Sequence, residues 1–148
     1  MSAPTASSQS SVRPFVLSKQ QIDALPFENF GGDRKKATGG WRNIFSSPQS
    51  PTDGLTLGIA TFPPRSAEEE SFEALHRHAQ AEFYYILSGH AVVKIEGVDH
   101  EVTNGHALFI PGDAEHGFWN TSSEEELVFL WGFGIDGFGE VVYRFSHE

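Results

Sequence analysis

The stretch HRHAQAEFYYILSG, residues 76 to 89, places two histidines and a glutamate just before a run of aromatic and aliphatic residues. Alternate side chains of a β-strand share one face, so His76 and His78 are predicted to point the same way. Glu82 and Tyr84 can share that parity across a turn. Two imidazoles and a carboxylate can therefore converge on one point without help from the rest of the chain.

A fourth candidate ligand is His116, in the stretch GHALFIPGDAEHGFWN, residues 105 to 120. Within it, IPGD predicts a turn that returns the chain beside the first hairpin. Three neutral imidazoles and one carboxylate suit a borderline divalent ion and leave coordination positions open for a substrate. The other histidines are expected to be surface or hydrogen-bonded residues: His90, His100, His106 and His147.

Most of the chain consists of short segments rich in β-branched and aromatic residues, separated by Gly, Pro, Asn, Asp and Ser. Ten such segments, with no long helical pattern between them, predict an all-β sandwich or barrel over residues 41–148. The segments are WRNIF, LTLGIATF, EALHRH, EFYYILSG, AVVKIEG, HEVTNG, HALFIPG, HGFWNT, LVFLWGF and EVVYRFS.

The first 40 residues are expected to lie outside this domain. Residues 1–13 offer little to bury and are expected to form a disordered tail. Residues 14–40 form an extension in which SKQQIDALPF predicts one short helical turn, with Ser18 as its N-cap and Pro26 as its stop. FGGDRKKATGG, residues 30 to 40, has the glycines for a mobile lid, and a plain linker is the alternative.

Composition restricts the function classes. The formal net charge of −10 over 148 residues disfavours nucleic acid and anionic membrane surfaces as partners. The chain has no cysteine, so any metal must be held by nitrogen and oxygen. No stretch has the length and apolarity of a membrane span or a signal core, so a cytoplasmic protein is expected. The glutamate-rich run SAEEESFEA is expected to be a solvated loop.

Two motifs resemble the paired signature of the cupin superfamily. Residues 76–89 have the order H-x-H, three residues, E, six residues, G; residues 105–120 have G, five residues, P, and then His116, three residues and Asn120. The 15 residues between the two motifs match the spacing of small single-domain cupins. The resemblance implies a jelly-roll barrel that binds a divalent transition metal such as Fe, Zn, Mn or Ni. The implied ligands are His76, His78, Glu82 and His116.

Two positions depart from that signature. Glu70 stands six residues before the first histidine, where the first motif usually has a glycine. Asp113 stands two residues after the proline, where the second motif usually has a glycine. We expect these departures to change the local loop geometry and not the ligand set.

The stretches AEFYYILSG, IPGDAEHGFWN, LVFLWGF and FGEVVYRF are similar to those of the small cupins that include dimethylsulfoniopropionate lyases. In that group, a tyrosine two residues after the glutamate ligand is thought to be the catalytic base, and Tyr84 occupies this position. The resemblance implies a catalytic role for Tyr84 and makes Tyr143 a second hydroxyl pointing into the barrel. A phenol becomes a usable base when a nearby cation stabilises the phenolate. The alternative is that both are amphipathic barrel residues.

Candidate pocket residues follow from the substrate that this resemblance implies. Aromatic rings suit a sulfonium or another cation through cation–π attraction, and Arg42 offers a guanidinium for an anionic group. The alternatives are ordinary core residues and an exposed strand arginine. The candidate wall residues are Phe109, Phe118, Trp119, Trp131 and Phe133.

The leading hypothesis is therefore a metal-dependent lyase that acts on a small carboxylate by proton abstraction and elimination. The same ligand set also suits an Fe(II)-dependent dioxygenase, and a metal-dependent isomerase uses the same proton abstraction. A non-enzymatic ligand-binding barrel is a further alternative. The resemblance implies a homodimer, and edge strands need to be covered in any case.

Overall fold

The structure, a computed structural model, describes residues 10–148. Two five-stranded antiparallel sheets pack face to face, and one short helix precedes them within that range. The predicted all-β jelly roll is confirmed. Most of the predicted tail, residues 1–13, lies outside the described residues. Over residues 10–148 no helix is long and apolar enough to cross a membrane.

The strands agree with the predicted segments except at the C-terminus. Residues 138–140 form a 3-10 turn, and the last strand has two residues, so most of the predicted segment EVVYRFS is irregular. The strands are β1 Gly40–Phe45, β2 Thr56–Phe62, β3 Phe72–Arg77, β4 Glu82–Ser88, β5 His90–Ile95, β6 Val98–Thr103, β7 Ala107–Ile110, β8 His116–Asn120, β9 Leu127–Phe133 and β10 Arg144–Phe145.

The strand order places the core between the sheets. The first sheet has the order β1-β2-β9-β4-β7 and the second β10-β3-β8-β5-β6. Burial alternates along β2, as expected for a strand with one face on the core. The ring of Phe118 in the second sheet meets Phe62 and Phe129 of the first at centroid distances of 4.7 and 5.0 Å. These rings form part of the buried core between the sheets.

The N-terminal extension begins with the predicted helix, α1 Lys19–Asp23. The backbone N–H of Gln21 donates to Ser18 Oγ, and the Ser18 N–H donates to Gln21 Oε1, which completes a capping box. Ser18 as N-cap is thus confirmed. The helix ends at the C-cap Ala24, before the predicted stop at Pro26.

The extension then packs on the barrel. Glu28 and Trp41 exchange backbone hydrogen bonds of 2.8 and 2.9 Å. Further along, the N–H of Ala74 donates to Lys36 O at 2.8 Å, which ties the stretch FGGDRKKATGG to β3. In this conformation that stretch is held against the second sheet.

The predicted IPGD turn is confirmed and lies against the end of β3. The N–H of Ala114 donates to Pro111 O at 3.1 Å, and the N–H of Asp113 donates to His78 O at 2.8 Å. Asp113 has a φ of 62°, in the left-handed region that favours glycine and that aspartate tolerates. Its carboxylate pairs with Arg144. Asp113 therefore adopts the conformation of the glycine it replaces in the motif.

Candidate metal centre

The four predicted ligands come from both sheets and meet between them. His76 in β3 and His116 at the start of β8 are directly paired across neighbouring strands. His78 follows β3, and Glu82 opens β4 in the opposite sheet. Their exposed fractions lie between 0% and 5%, so the whole cluster is buried. The structure thus brings together the set that the sequence predicted.

Each histidine ring is oriented by a backbone carbonyl. The Nδ1 atoms of His76, His78 and His116 lie 2.7 to 2.9 Å from the carbonyl oxygens of residues 74, 80 and 114. A carbonyl only accepts, so each Nδ1 carries the proton and each Nε2 keeps a free lone pair. Metal-ligating histidines usually have such a partner on the other ring nitrogen. One ligand nitrogen from each ring lies within 4.8 Å of the other two.

The lone pairs on the Nε2 atoms have no hydrogen-bond donor to accept from. Nε2 of His116 is buried without a hydrogen-bond partner and lies 3.4 Å from Glu82 Oε2. Nε2 of His78 lies 2.9 Å from the same oxygen. Nitrogen and oxygen acceptors packed this closely need a cation between them. Three imidazole nitrogens and one carboxylate oxygen fit a divalent ion such as Fe, Zn, Mn or Ni.

The electrostatics of His76 favour the neutral ring that a metal requires. Burial is the main cause that lowers the pKa of His76 well below its ordinary value, and His116 and His78 lower it further. The hydrogen bond to the Ala74 carbonyl opposes this shift. At neutral pH the ring therefore presents a lone pair, because no proton competes for Nε2.

Tyr84 and Tyr143 lie beside the cluster, where the sequence placed them. Tyr84 follows Glu82 by two residues on the inward face of β4, is 2% exposed, and has its ring centroid 6.3 Å from that of His116. The half-buried Tyr143 ring lies 4.9 Å from His76. Burial, and next the charge of Glu82, raise the pKa of Tyr84 well above its ordinary value. In this environment Tyr84 becomes a base only beside a cation.

A small cavity lies beside the cluster and is lined by Glu82, Tyr84 and Tyr143. Its volume is about 20 Å³, which is room for one water molecule. The polar residues that line it are Glu73, Glu82, Tyr84 and Tyr143, and the aromatic walls include Trp41, Trp131 and Phe138. A larger ligand therefore enters only if part of the wall moves.

Three of the predicted pocket residues are buried near the site, in different positions. Trp131 lines the cavity, and its ring lies over Gly58, where a Cβ would approach the indole to 2.0 Å. Phe133 packs edge-on against His78 at 5.1 Å. Phe118 is fully buried behind Tyr84 and belongs to the core rather than to the cavity wall.

Arg42, Phe109 and Trp119 are corrected, because they face away from the cavity. Arg42 donates Nε to Leu25 O at 3.1 Å and lies over a ring of the extension, since its neighbour Trp41 takes the inward position on β1. Phe109 is 70% exposed on β7. Trp119 lines a groove on the outer surface of the second sheet.

Sequence reasoning missed Glu73, which it assigned to the solvated run SAEEESFEA. Residues 66–70 of that run are indeed exposed, but Glu73 is buried on the cavity. Burial, and next the charge of Glu82, raise the pKa of Glu73 well above its ordinary value. The remaining histidines are exposed, as predicted: His90, His100, His106 and His147.

A jelly roll with three inward histidines and a glutamate between its sheets is the architecture that the two motifs predicted. The Cupin domain family matches residues 58–133, and the chain belongs to this family. The expected superfamily is confirmed.

The relatives support the narrower resemblance. The chain is 40% identical over 106 residues to the dimethylsulfoniopropionate lyase DddW of Ruegeria pomeroyi. The aligned region covers 72% of this chain and 65% of the relative. It is 27% identical over 117 residues to protein SchB of Streptomyces halstedii, covering 78% and 81%. The chain thus spans about 65% of the length of DddW.

Among solved structures, the DMSP lyases RdDddP and RnDddQII give a match with a TM-score of 0.65 at 19% identity. The match covers 82% of this chain and 62% of the other. At this identity the likeness shows a shared fold. The chain is therefore a cupin with a lyase relative and a buried candidate metal site.

Proposed function

We propose that this chain is a metal-dependent lyase that acts on a small carboxylate by proton abstraction and elimination. The position of Tyr84 carries the proposal: it lines the cavity beside the histidine cluster, and its hydroxyl makes no hydrogen bond within residues 10–148. A phenol oxygen without a protein partner on this cavity is available, once ionised, to take a substrate proton. The identity to DddW supports the same reaction class and makes dimethylsulfoniopropionate the first substrate to test.

A divalent ion held by the four ligands would supply Lewis acidity toward a substrate carboxylate and stabilise a nearby anion. Tyr84, as the phenolate, removes the proton from the carbon beside the carboxylate. The electrons of that C–H bond form the new double bond, and the bond between carbon and sulfur breaks with its electrons on sulfur. Dimethylsulfoniopropionate would give acrylate and neutral dimethyl sulfide, and Tyr84 then loses the proton to solvent.

Tyr143 and the aromatic walls support this chemistry by position. The Tyr143 ring packs between His76, at 4.9 Å, and Phe138, at 5.9 Å, and thereby covers the cluster. A covered site excludes water and strengthens the interactions between charges inside it. The ring of Trp131 offers a face to a sulfonium group.

The test is anaerobic turnover by protein loaded separately with Fe(II), Zn(II), Mn(II) and Ni(II). We expect dimethyl sulfide and acrylate in equal amounts with at least one metal. Tyr84→Phe should lower the rate by about 10²-fold or more. Tyr85→Phe is the matched control, because Tyr85 lies on the exposed face of the same strand and should keep full activity. No product with any of the four metals would overturn the proposal.

The same experiment separates the alternatives. The ligand set also suits a dioxygenase that binds substrate and O₂ side by side at Fe(II). Product that appears only after air is admitted would support that class. Exchange of the substrate proton with solvent deuterium, without release of dimethyl sulfide, would support an isomerase. Binding without either outcome would support a non-enzymatic barrel.

A further inference from the structure

Glu73 is a buried carboxyl that the proposed reaction does not use. Its exposed fraction is 9%, and no side-chain hydrogen bond or ion pair reaches it within residues 10–148. Most buried polar groups have a partner, so an unpaired carboxyl on a cavity wall requires an explanation.

The backbone of β3 turns Glu73 inward. Simple alternation would place residues 73 and 76 on opposite faces of the strand, but the register between β3 and β8 shifts between them. This bulge leaves both Glu73 and His76 buried. Gly117 makes room for it, because a Cβ there would lie 2.8 Å from Glu73 O. The inward direction of the Glu73 side chain therefore follows from the backbone geometry of the sheet.

The surroundings of Glu73 suit a cation. The cavity that it lines is also walled by Trp41, Trp131 and Phe138, and the centroid of Phe138 lies 5.1 Å from each indole. Aromatic rings packed around one space attract quaternary onium groups through their faces. A carboxylate among them supplies the opposite full charge.

The charges of such a substrate have to be matched locally. A divalent ion, the Glu82 carboxylate and the Tyr84 phenolate of the proposed reaction would together be neutral, and they would lie at the end of the cavity that takes the substrate carboxylate. If the substrate also carries an onium group, its positive charge enters a buried site and needs an anion. Glu73 is the other acidic side chain on this cavity.

We propose that Glu73 is a specificity-determining residue that recognises the cationic end of a zwitterionic carboxylate substrate. This inference rests on the proposed function, which places the substrate carboxylate at the histidine cluster. The carboxyl contacts the onium group while Trp41, Trp131 and Phe138 surround it. In the free protein, burial raises the pKa of Glu73, and a bound cation is the neighbour that reverses this effect.

Binding requires the cavity to enlarge beyond its volume of about 20 Å³. The movable wall is the one that no sheet supports. Phe138 lies in the 3-10 turn Phe138–Glu140, and Tyr143 precedes the two-residue strand β10. Glu73 lies in β3 and stays fixed while this wall moves outward.

The test compares two ligands of the same shape and different charge on metal-loaded protein. One is beta-alanine betaine, and the other is its tert-butyl isostere, in which carbon replaces the charged nitrogen. Isothermal titration calorimetry should show that the wild type binds the betaine about tenfold or more tightly than the isostere. Glu73→Gln should reduce the ratio to about twofold by weakening the betaine alone. Glu70→Gln, at an exposed site in the preceding loop, should leave the ratio unchanged.

Two results would overturn the inference: equal binding of both ligands by the wild type, or an unchanged ratio in a folded Glu73→Gln. Glu73→Asp, which keeps the charge, should retain part of the preference and covers the case in which the glutamine variant fails to fold. The proposed function fails separately. If the preference for the charged ligand depends on Glu73 but no elimination is detected, this inference is supported and the lyase is not. If elimination occurs and Glu73→Gln leaves its kcat and KM unaltered, the lyase is supported and this inference is not.

Discussion

Nε2 of His78 lies 2.9 Å from Oε2 of Glu82, although the imidazole proton is on Nδ1, which donates to Gln80 O. Two lone pairs at this distance repel unless a proton or a metal ion lies between them. The geometry of the buried cluster therefore implies a cation as part of the native site. The other acceptor in contact with Glu82, Nε2 of His116, has the same need.

Glu82→Gln tests this relationship in the absence of metal. The amide of glutamine can donate to His78 Nε2. In the presence of a chelator, the free energy of unfolding of the variant should therefore be about 1 kcal/mol higher than that of the wild type. It should also bind metal more weakly, since a neutral amide replaces an anionic ligand. Chemical denaturation and metal titration measure the two effects. A loss of stability in chelator would indicate instead that a proton on His78 pairs with Glu82.

Glu73→Gln should stabilise the metal-free protein at neutral pH. The pKa of Glu73 is raised from 4.5, so the unfolded chain releases this proton at a pH where the folded chain still holds it. Wild-type stability is therefore lost as pH rises above 4.5, by at most about 1.4 kcal/mol per pH unit. The advantage of the variant should grow from pH 4.5 to 7 in thermal unfolding. A stability difference between the variant and the wild type that stays constant from pH 4.5 to 7 would contradict the raised pKa of Glu73.

Phe118→Ala should act on stability and not on substrate recognition. The ring is fully buried against Phe62, Phe129 and Tyr84, and its removal leaves a cavity in the core. The expected loss is about 3–5 kcal/mol of unfolding free energy. Denaturant unfolding measures it. If Phe118→Ala altered the ratio of kcat/KM between two substrates and left stability unchanged, Phe118 would be assigned to the substrate pocket instead.

The homodimer stays a prediction, and the first sheet has a face suited to it. Phe83 and Phe109 are paired on β4 and the edge strand β7, and both are exposed on the outer surface. An apolar face beside an open edge is typical of a subunit contact. Phe109→Asp should shift the wild-type dimer to monomer in sedimentation velocity, whereas Val98→Asp, on β6, should not. A monomeric wild type would refute the expectation.

The sequence predicted the ligand cluster well because its signals are local. The H-x-H spacing puts two imidazoles on one face of a strand, and the IPGD turn was predicted to return the chain beside the first hairpin, where the structure pairs His116 with His76 across β8 and β3. Asp113 kept the loop conformation that a glycine usually provides. The cytoplasmic location and the lack of a nucleic-acid partner stay predictions.

The errors arose where side-chain direction depends on a neighbouring strand. Glu73 faces inward because β3 has a bulge where it pairs with β8, and the local sequence pattern does not predict that bulge. Arg42 and Phe109 were named as pocket residues because a guanidinium and an aromatic ring suit the implied substrate, and residue type alone does not say which face of β1 or β7 is inward. Of the predicted strand EVVYRFS, only Arg144 and Phe145 pair with β3.

The most direct test of the metal centre is the metal content of purified protein by inductively coupled plasma mass spectrometry, with His116→Ala and His100→Ala measured alongside. We predict about one divalent ion per chain in the wild type and in the His100 variant, and a loss in His116→Ala, because His116 belongs to the buried cluster and His100 is exposed. Wild-type protein that holds no metal even after reconstitution, or His116→Ala that keeps a full complement, would contradict it.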